Sequence, residues 1–267
     1  MTPQTIFLAQ TGETAITHIA LPQGRLRYAY ARSRECQAGG DPGQDALAIQ
    51  VDAERVVFAL CDGVSLSFMG DWAARFLSQQ LVNWLVGLVD GRKGALGIQE
   101  IQAALALRLS ALTALATRQI KAHPLPDDLS PMLRSVLEEK RGMGSESMFI
   151  CGWLDFVSRG MLLAWMGDSR LRLWQRSEEC TEQAFGDAFQ TRERWSTQKG
   201  ALGQPHVWMG NLEATTRLAA YSDGLAILDG KMDGPYADST LDELIQSVGE
   251  MPNSDDISYF EVILAAA

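Results

Sequence analysis

The sequence predicts an α+β fold of antiparallel strands with acidic residues at their ends, and three observations predict it. Strand-like segments fill both ends of the chain, while long helical stretches are confined to its middle. Aspartates recur where those strands begin or stop, three of them in Asp-Gly or Gly-Asp pairs. No internal repeat, low-complexity tract or linker divides the 267 residues, so residues 1–267 read as one domain with room for a substantial core.

Residues 1–23 carry weak patterning and are expected to form an edge strand and its turn. Arg25 to Tyr30 alternates, with Leu26, Tyr28 and Tyr30 on one face and Arg25 and Arg27 on the other, the pattern of a half-exposed strand. Glu35 to Gln44 has loop composition and leads into a strand that Asp45 opens. The apolar β-favouring run from Val56 to Cys61 is a buried strand, pairing with the previous one as a hairpin and stopping at an Asp62-Gly63 turn. After Gly70-Asp71 a helix carries Ala73, Leu77, Leu81, Trp84, Leu85 and Leu88 on one face. Glycines break it, and a second long helix from Ile98 has Ile101, Leu105, Leu109, Leu112 and Ala116 as its stripe. Pro124 and Pro126 end that one. A shorter helix runs to Leu137, with Asp127 and Asp128 as its N-terminal charge.

From Met148 the pattern is again that of strands, at Met148 to Val157, Met161 to Met166 and Leu171 to Trp174. Gly167-Asp168-Ser169-Arg170 reads as a hairpin turn between the second and third of these. Glu178 to Met209 is polar and irregular. Thr215 to Tyr221 is a strand ending in Ser222-Asp223-Gly224; a short helix spans Thr240 to Val248, and Asp255-Asp256 opens a final buried strand, Ile257 to Leu264.

A net charge of −10 argues against nucleic acid or an anionic membrane as the partner and suits a cation site. Three histidines, His18, His123 and His206, are too few for a histidine-built zinc site, so hard cations are expected. Cys36, Cys61, Cys151 and Cys180 form no C-x-x-C pair, Cys61 and Cys151 lie in apolar strands, and neither a secretory signal nor a spanning apolar run is visible. A cytoplasmic protein is the expectation.

Any one of these aspartates is an ordinary turn residue. Together they make a different argument. In antiparallel sheets the ends of some strands meet the beginnings of others, so Asp45, Asp62, Asp168, Asp223 and the Asp255-Asp256 pair can gather on one rim. Close, buried carboxylates repel one another unless cations sit between them. The chemistry that follows is a binuclear Mg²⁺ or Mn²⁺ site, which activates a shared water and steadies the oxygens of an in-line displacement at phosphorus.

The order CDG…GS…MGDSRL…YSDGL…SDDIS, from about Asp45 to Leu264, resembles the metal-dependent protein phosphatases of the 2C type, the PPM family of Ser/Thr phosphatases, in a bacterial-type form. The resemblance implies a four-layer α-β-β-α sandwich of two antiparallel sheets flanked by helices. It implies hydrolysis of phosphoserine or phosphothreonine by a hydroxide bridging two Mn²⁺ or Mg²⁺ ions, with a third, weaker ion in many members. By position, Asp62 would bridge both ions, Gly63 would lend its carbonyl, and Asp223 and Asp255 would hold the second ion; Asp62, Asp223 and Asp255 thus carry catalysis. Asp45 would act through metal-bound water, and Asp168 with Asp223 would hold the third ion. Ala201-Leu202-Gly203 is similar to a family stretch that follows the variable flap, which places the flap at Glu178 to Lys199. The implied partners are a phosphorylated protein substrate and a cognate Ser/Thr kinase, for a monomer that binds neither nucleic acid nor membrane.

Three positions depart from the family pattern. The phosphate-binding arginine expected five residues before Asp45 falls at Gly40, with Arg32 and Arg34 upstream as substitutes. Val64 stands where many members have histidine, and Glu146 interrupts the small-residue strand start after Gly144-Ser145. The rival reading from another class is a catalytically weak or inactive module of this fold that binds a phosphoprotein or kinase; a rival enzyme would act on a small phosphate ester. The presence of every metal aspartate favours the protein phosphatase.

Overall fold

A computed structural model of the protein describes residues 2–90, 97–176, 178–186, 189, 192–230 and 234–265. The chain opens with β1 (Gln4–Phe7), β2 (Thr14–Leu21), β3 (Gly24–Ala31) and the short α1 (Arg34–Gly39), then the hairpin β4 (Ala46–Val51) and β5 (Arg55–Gly63). Three helices follow, α2 (Gly70–Asp90), α3 (Ile98–Ala122) and α4 (Pro131–Met143). Next come β6 (Glu146–Asp155), β7 (Gly160–Met166), β8 (Arg170–Gln175), β9 (Glu178–Glu179), α5 (Thr181–Phe185), β10 (Arg194–Ser196), β11 (Gly200–Leu202) and β12 (His206–Asn211). The chain closes with β13 (Thr215–Tyr221), a 3-10 helix (Asp223–Leu228), α6 (Asp238–Gly249) and β14 (Ile257–Leu264).

The strands form two antiparallel sheets. One runs β1-β4-β5-β6, and the far edge of β6 is shared by β7, which β12 joins, and by β10, which β11 joins. The other runs β2-β3-β14-β13-β8-β9. Alternation along the strands sorts apolar side chains to opposite faces of each sheet. Ile49, Phe58, Leu60, Leu163, Leu173, Leu218, Phe260 and Val262 meet between the sheets, where the rings of Phe58 and Phe260 stack at 4.0 Å. The outer face of the first sheet is covered by Leu77, Leu81 and Leu85 of α2 and Leu105 and Leu109 of α3. Leu241, Ile245 and Val248 of α6 cover the outer face of the second. Each such side chain, fully buried, contributes roughly 1.5–3 kcal/mol. These are the four layers expected from the resemblance.

Several local expectations are corrected. The N-terminal segment supplies two edge strands, one to each sheet. Arg27 is fully buried on β3: its Nε donates to Glu261 and its Nη1 to Asp238 at 2.7 Å, and Arg217 joins Glu261 from the other side. Residues 34–39 are helical because Ser33 caps them, its Oγ accepting from the amide of Cys36 at 3.2 Å, and Gly40 at φ 70° ends the helix. Asp127 and Asp128 precede α4, whose cap is Ser130, and that helix runs on to Met143. The described residues of the stretch from Glu178 to Met209 include β9, α5, β10, β11 and the start of β12. The largest correction is at Asp168. β7 and β8 lie in different sheets, so Gly167-Asp168-Ser169 is a crossover between sheets, turned by Gly167 at φ 106°.

Candidate metal centre

Strand register brings the acids to one rim. Ala46 lies opposite Cys61, which sets Asp45 level with Asp62. In the second sheet Tyr221 lies between Arg170 and Tyr259, so Asp168, Asp223 and Asp255 all emerge at the same end. Oxygens of Asp62, Asp168 and Asp223 lie within 4.8 Å of one another. Asp45 is buried beside Asp62, and its Oδ2 has no hydrogen-bond partner. Asp255 is exposed at the rim, where its charge acts on Asp45, Asp62 and Asp223. Gly63 continues β5 opposite Ser147, so the strand does not stop at a turn as the Asp-Gly pair suggested.

The glycines after Asp62 and Asp223 have a packing role that their turn chemistry did not suggest. A Cβ on Gly63 would lie 2.4 Å from the carbonyl oxygen of Gly70, and one on Gly224 would lie 2.2 Å from that of Asp256. Only a bare backbone permits this approach, which presses the rim segments together.

Gln10 and Asp256 brace the rim and Tyr30 stands beside it; sequence reasoning missed the parts of Gln10 and Tyr30. Gln10 is buried, and its Nε2 donates to the carbonyls of Gly43, Asp45 and Asp71, each at 3.0 Å. Tyr30 places a buried hydroxyl with no hydrogen-bond partner beside Asp45 and Asp256. Asp256 was visible as one of the paired acids, and the structure separates it from Asp255. Its two oxygens accept the amides of Ser33 at 2.6 Å and Gln44 at 2.7 Å, while Asp255, whose Oδ1 accepts the Asp256 amide at 2.8 Å, is the acid exposed at the rim.

The electrostatics are those of an anionic cluster. Burial, and then the charges of Asp223, Asp255 and Asp168, push the Asp62 carboxyl well above the usual range. Burial, with Asp62 and Asp256, does the same to Asp45. Asp223 is raised to about 6, by burial first and then by Asp255 and Asp168, against the lowering effect of Arg170. Like charges at this separation are stabilised by a cation in their midst. The all-oxygen donor set and the orphaned Asp45 oxygen fit a hard divalent ion.

Two antiparallel sheets faced by helices thus carry aspartates that converge where the strand ends meet. The chain belongs to the protein phosphatase 2C family, whose profile matches residues 32–258. A bacterial serine phosphatase of known structure superposes with a TM-score of 0.60 at 14% identity, covering 91% of this chain and 98% of its own. The serine/threonine phosphatase Stp1 from Staphylococcus aureus gives 0.59 at 13% identity, with 94% and 99% covered. RsbX, solved in complex with magnesium, gives 0.52 at 13% identity, with 94% and 100% covered. At these identities the likeness is one of fold. No curated protein sequence matches the chain. Among the described residues no helix is long and apolar enough to cross a membrane.

Proposed function

We propose that this protein is a Mn²⁺- or Mg²⁺-dependent phosphatase of phosphoserine and phosphothreonine in proteins, acting as one domain over residues 1–267. The observation that carries the reading is the convergence of Asp62, Asp168 and Asp223 within 4.8 Å, with Asp45 and Asp255 at the same rim. Asp62, whose carboxyl feels Asp223, Asp255, Asp168 and Asp256 alike, is the residue that would be shared between two ions, and the Gly63 carbonyl would assist it. Asp223 and Asp255 would hold a second ion, Asp168 with Asp223 a third, and Asp45 would act through bound water. Bound there, the ions supply Lewis acidity toward phosphoryl oxygens and a nucleophilic water at neutral pH.

The chain's own part is positional. Gln10 and Asp256 immobilise the backbone on which the acids stand, and the packed glycines remove slack between β5 and α2 and between the turn after β13 and the segment before β14. Fixed carboxylates need no reorganisation as charge develops at phosphorus. Hydrolysis of a phosphothreonine peptide should vanish with chelator and return with Mn²⁺. Asp223→Asn and Asp255→Asn should each lower turnover by orders of magnitude. Wild-type turnover by Asp223→Asn at saturating Mn²⁺ would overturn the ligand assignment.

A further inference from the structure

The resemblance implies a phosphate-gripping arginine at the position that Gly40 occupies, and the chain has none there. Gly40 ends α1, and a side chain there would meet nothing within 4 Å. Both upstream arginines bond to groups outside the acid cluster. Arg32 Nε donates to Glu13 at 2.8 Å and its Nη1 to the Asp41 carbonyl at 3.2 Å, while Arg34 Nη1 reaches the Glu250 carbonyl at 3.4 Å.

Beside Asp168, a cavity of about 450 Å³ is lined by Thr181, Phe189 and Asp229. Arg170 and Arg172 both line it. Arg172 is committed, its Nε and Nη2 on Glu179 and its Nη1 on the Leu228 carbonyl. Arg170 is held more loosely. Its Nη1 donates to the Asp168 carbonyl, and its Nε pairs at 3.1 Å with Asp229, a carboxylate 45% exposed. A pair this open to solvent is weakly held, so a doubly charged phosphate can displace it. The charge of Arg170 also reaches Asp223, which places the guanidinium within electrostatic range of the acid cluster.

We propose that Arg170 is the phosphate-binding residue of this protein, held ready by Asp229 and handed to the phosphoryl oxygens when substrate enters. The proposal rests on the phosphatase reading. The Asp168 carbonyl contact keeps the head group at the rim in both states, and the cavity beside it receives the portion of substrate that adjoins the phosphate. Asp229 also accepts from the Tyr221 hydroxyl at 2.9 Å through Oδ1, so an asparagine there can keep that contact while releasing Arg170.

The test is steady-state hydrolysis of para-nitrophenyl phosphate at saturating Mn²⁺, with inhibition by inorganic phosphate, in folded variants verified by melting temperature. R170A should raise KM and the phosphate inhibition constant about ten- to a hundredfold with kcat changed only a few fold, the loss of a paired charge-assisted contact. R170K should recover little, since an ammonium cannot form two parallel bonds. D229N should lower both constants, and only while Arg170 is present; R32A and R34A should leave them unchanged. Unaltered KM and phosphate inhibition in R170A and R170K would overturn the proposal, as would a tenfold rise in R32A or R34A. If the wild-type protein hydrolyses nothing, the functional reading fails instead. Calorimetry of inorganic phosphate with the Mn²⁺-loaded protein then decides on Arg170 by itself: tenfold weaker binding by R170A supports it, and equal binding rejects it.

Discussion

At the residue scale, the raised carboxyls of the rim make stability depend on pH in a definite direction. Asp223, raised to about 6, binds its proton more tightly in the folded metal-free protein than in the unfolded chain. Its contribution to stability is complete below about pH 4, the unfolded value, and is lost as the pH climbs through about 6. Protein treated with chelator should therefore lose melting temperature between pH 4.5 and 7 more steeply than Asp223→Asn treated alike, because the asparagine cannot titrate. Equal slopes in the two proteins would contradict the placement of Asp223 among like charges. A second expectation concerns Gly63. An added methyl would press on two carbonyl oxygens, those of Gly70 at 2.4 Å and Gln44 at 2.7 Å, so Gly63→Ala should cost about 1–3 kcal/mol or more, read as a fall in the denaturant midpoint. The aspartates were legible because polar residues at strand tips stand out against apolar runs. The work of Gln10 was not, since its partners lie 33 to 61 residues further along the chain and nothing local announces them.

At the scale of elements, legibility followed the strength of the local pattern. Thr215–Tyr221 and Ile257–Leu264 occur with the bounds their apolar runs suggested, and every stripe residue named for the helix from Ile98 is buried. What failed was any inference that needed to know the neighbour. Arg27 sits in an alternating strand and so looked solvent-facing, yet its partner Glu261 is 234 residues away and turns that face into a buried ion cluster. The link at Gly167 to Ser169 has the chemistry of a hairpin turn, but the next strand joins the other sheet, and pairing partners decide that, not the turn. The buried cluster itself gives a prediction. Glu261 is fully buried between Arg27, fully buried too, and Arg217, which is nearly so, and removing the shared partner of buried charges costs about 3–5 kcal/mol. Glu261→Gln should lower the melting temperature by roughly 10 °C. A shift within 2 °C or so would mean that the guanidinium groups find other partners.

At the scale of the whole molecule, two sheets and three helices on their outer faces hold the ends of β5, β13 and the chain before β4 and β14 at one edge. The fold alone does not make a catalyst, since function resides in the site it carries. The central claim is that this edge is a binding site for divalent ions organised around Asp62. The most direct measurement is a calorimetric titration of Mn²⁺ into the chelator-stripped protein at neutral pH, beside Asp62→Asn. The account predicts at least two Mn²⁺ per chain in the wild type, with a melting temperature that rises with the ion and a variant that loses most of that affinity. No binding by the wild type, or an Asp62→Asn protein that binds as well, would contradict it.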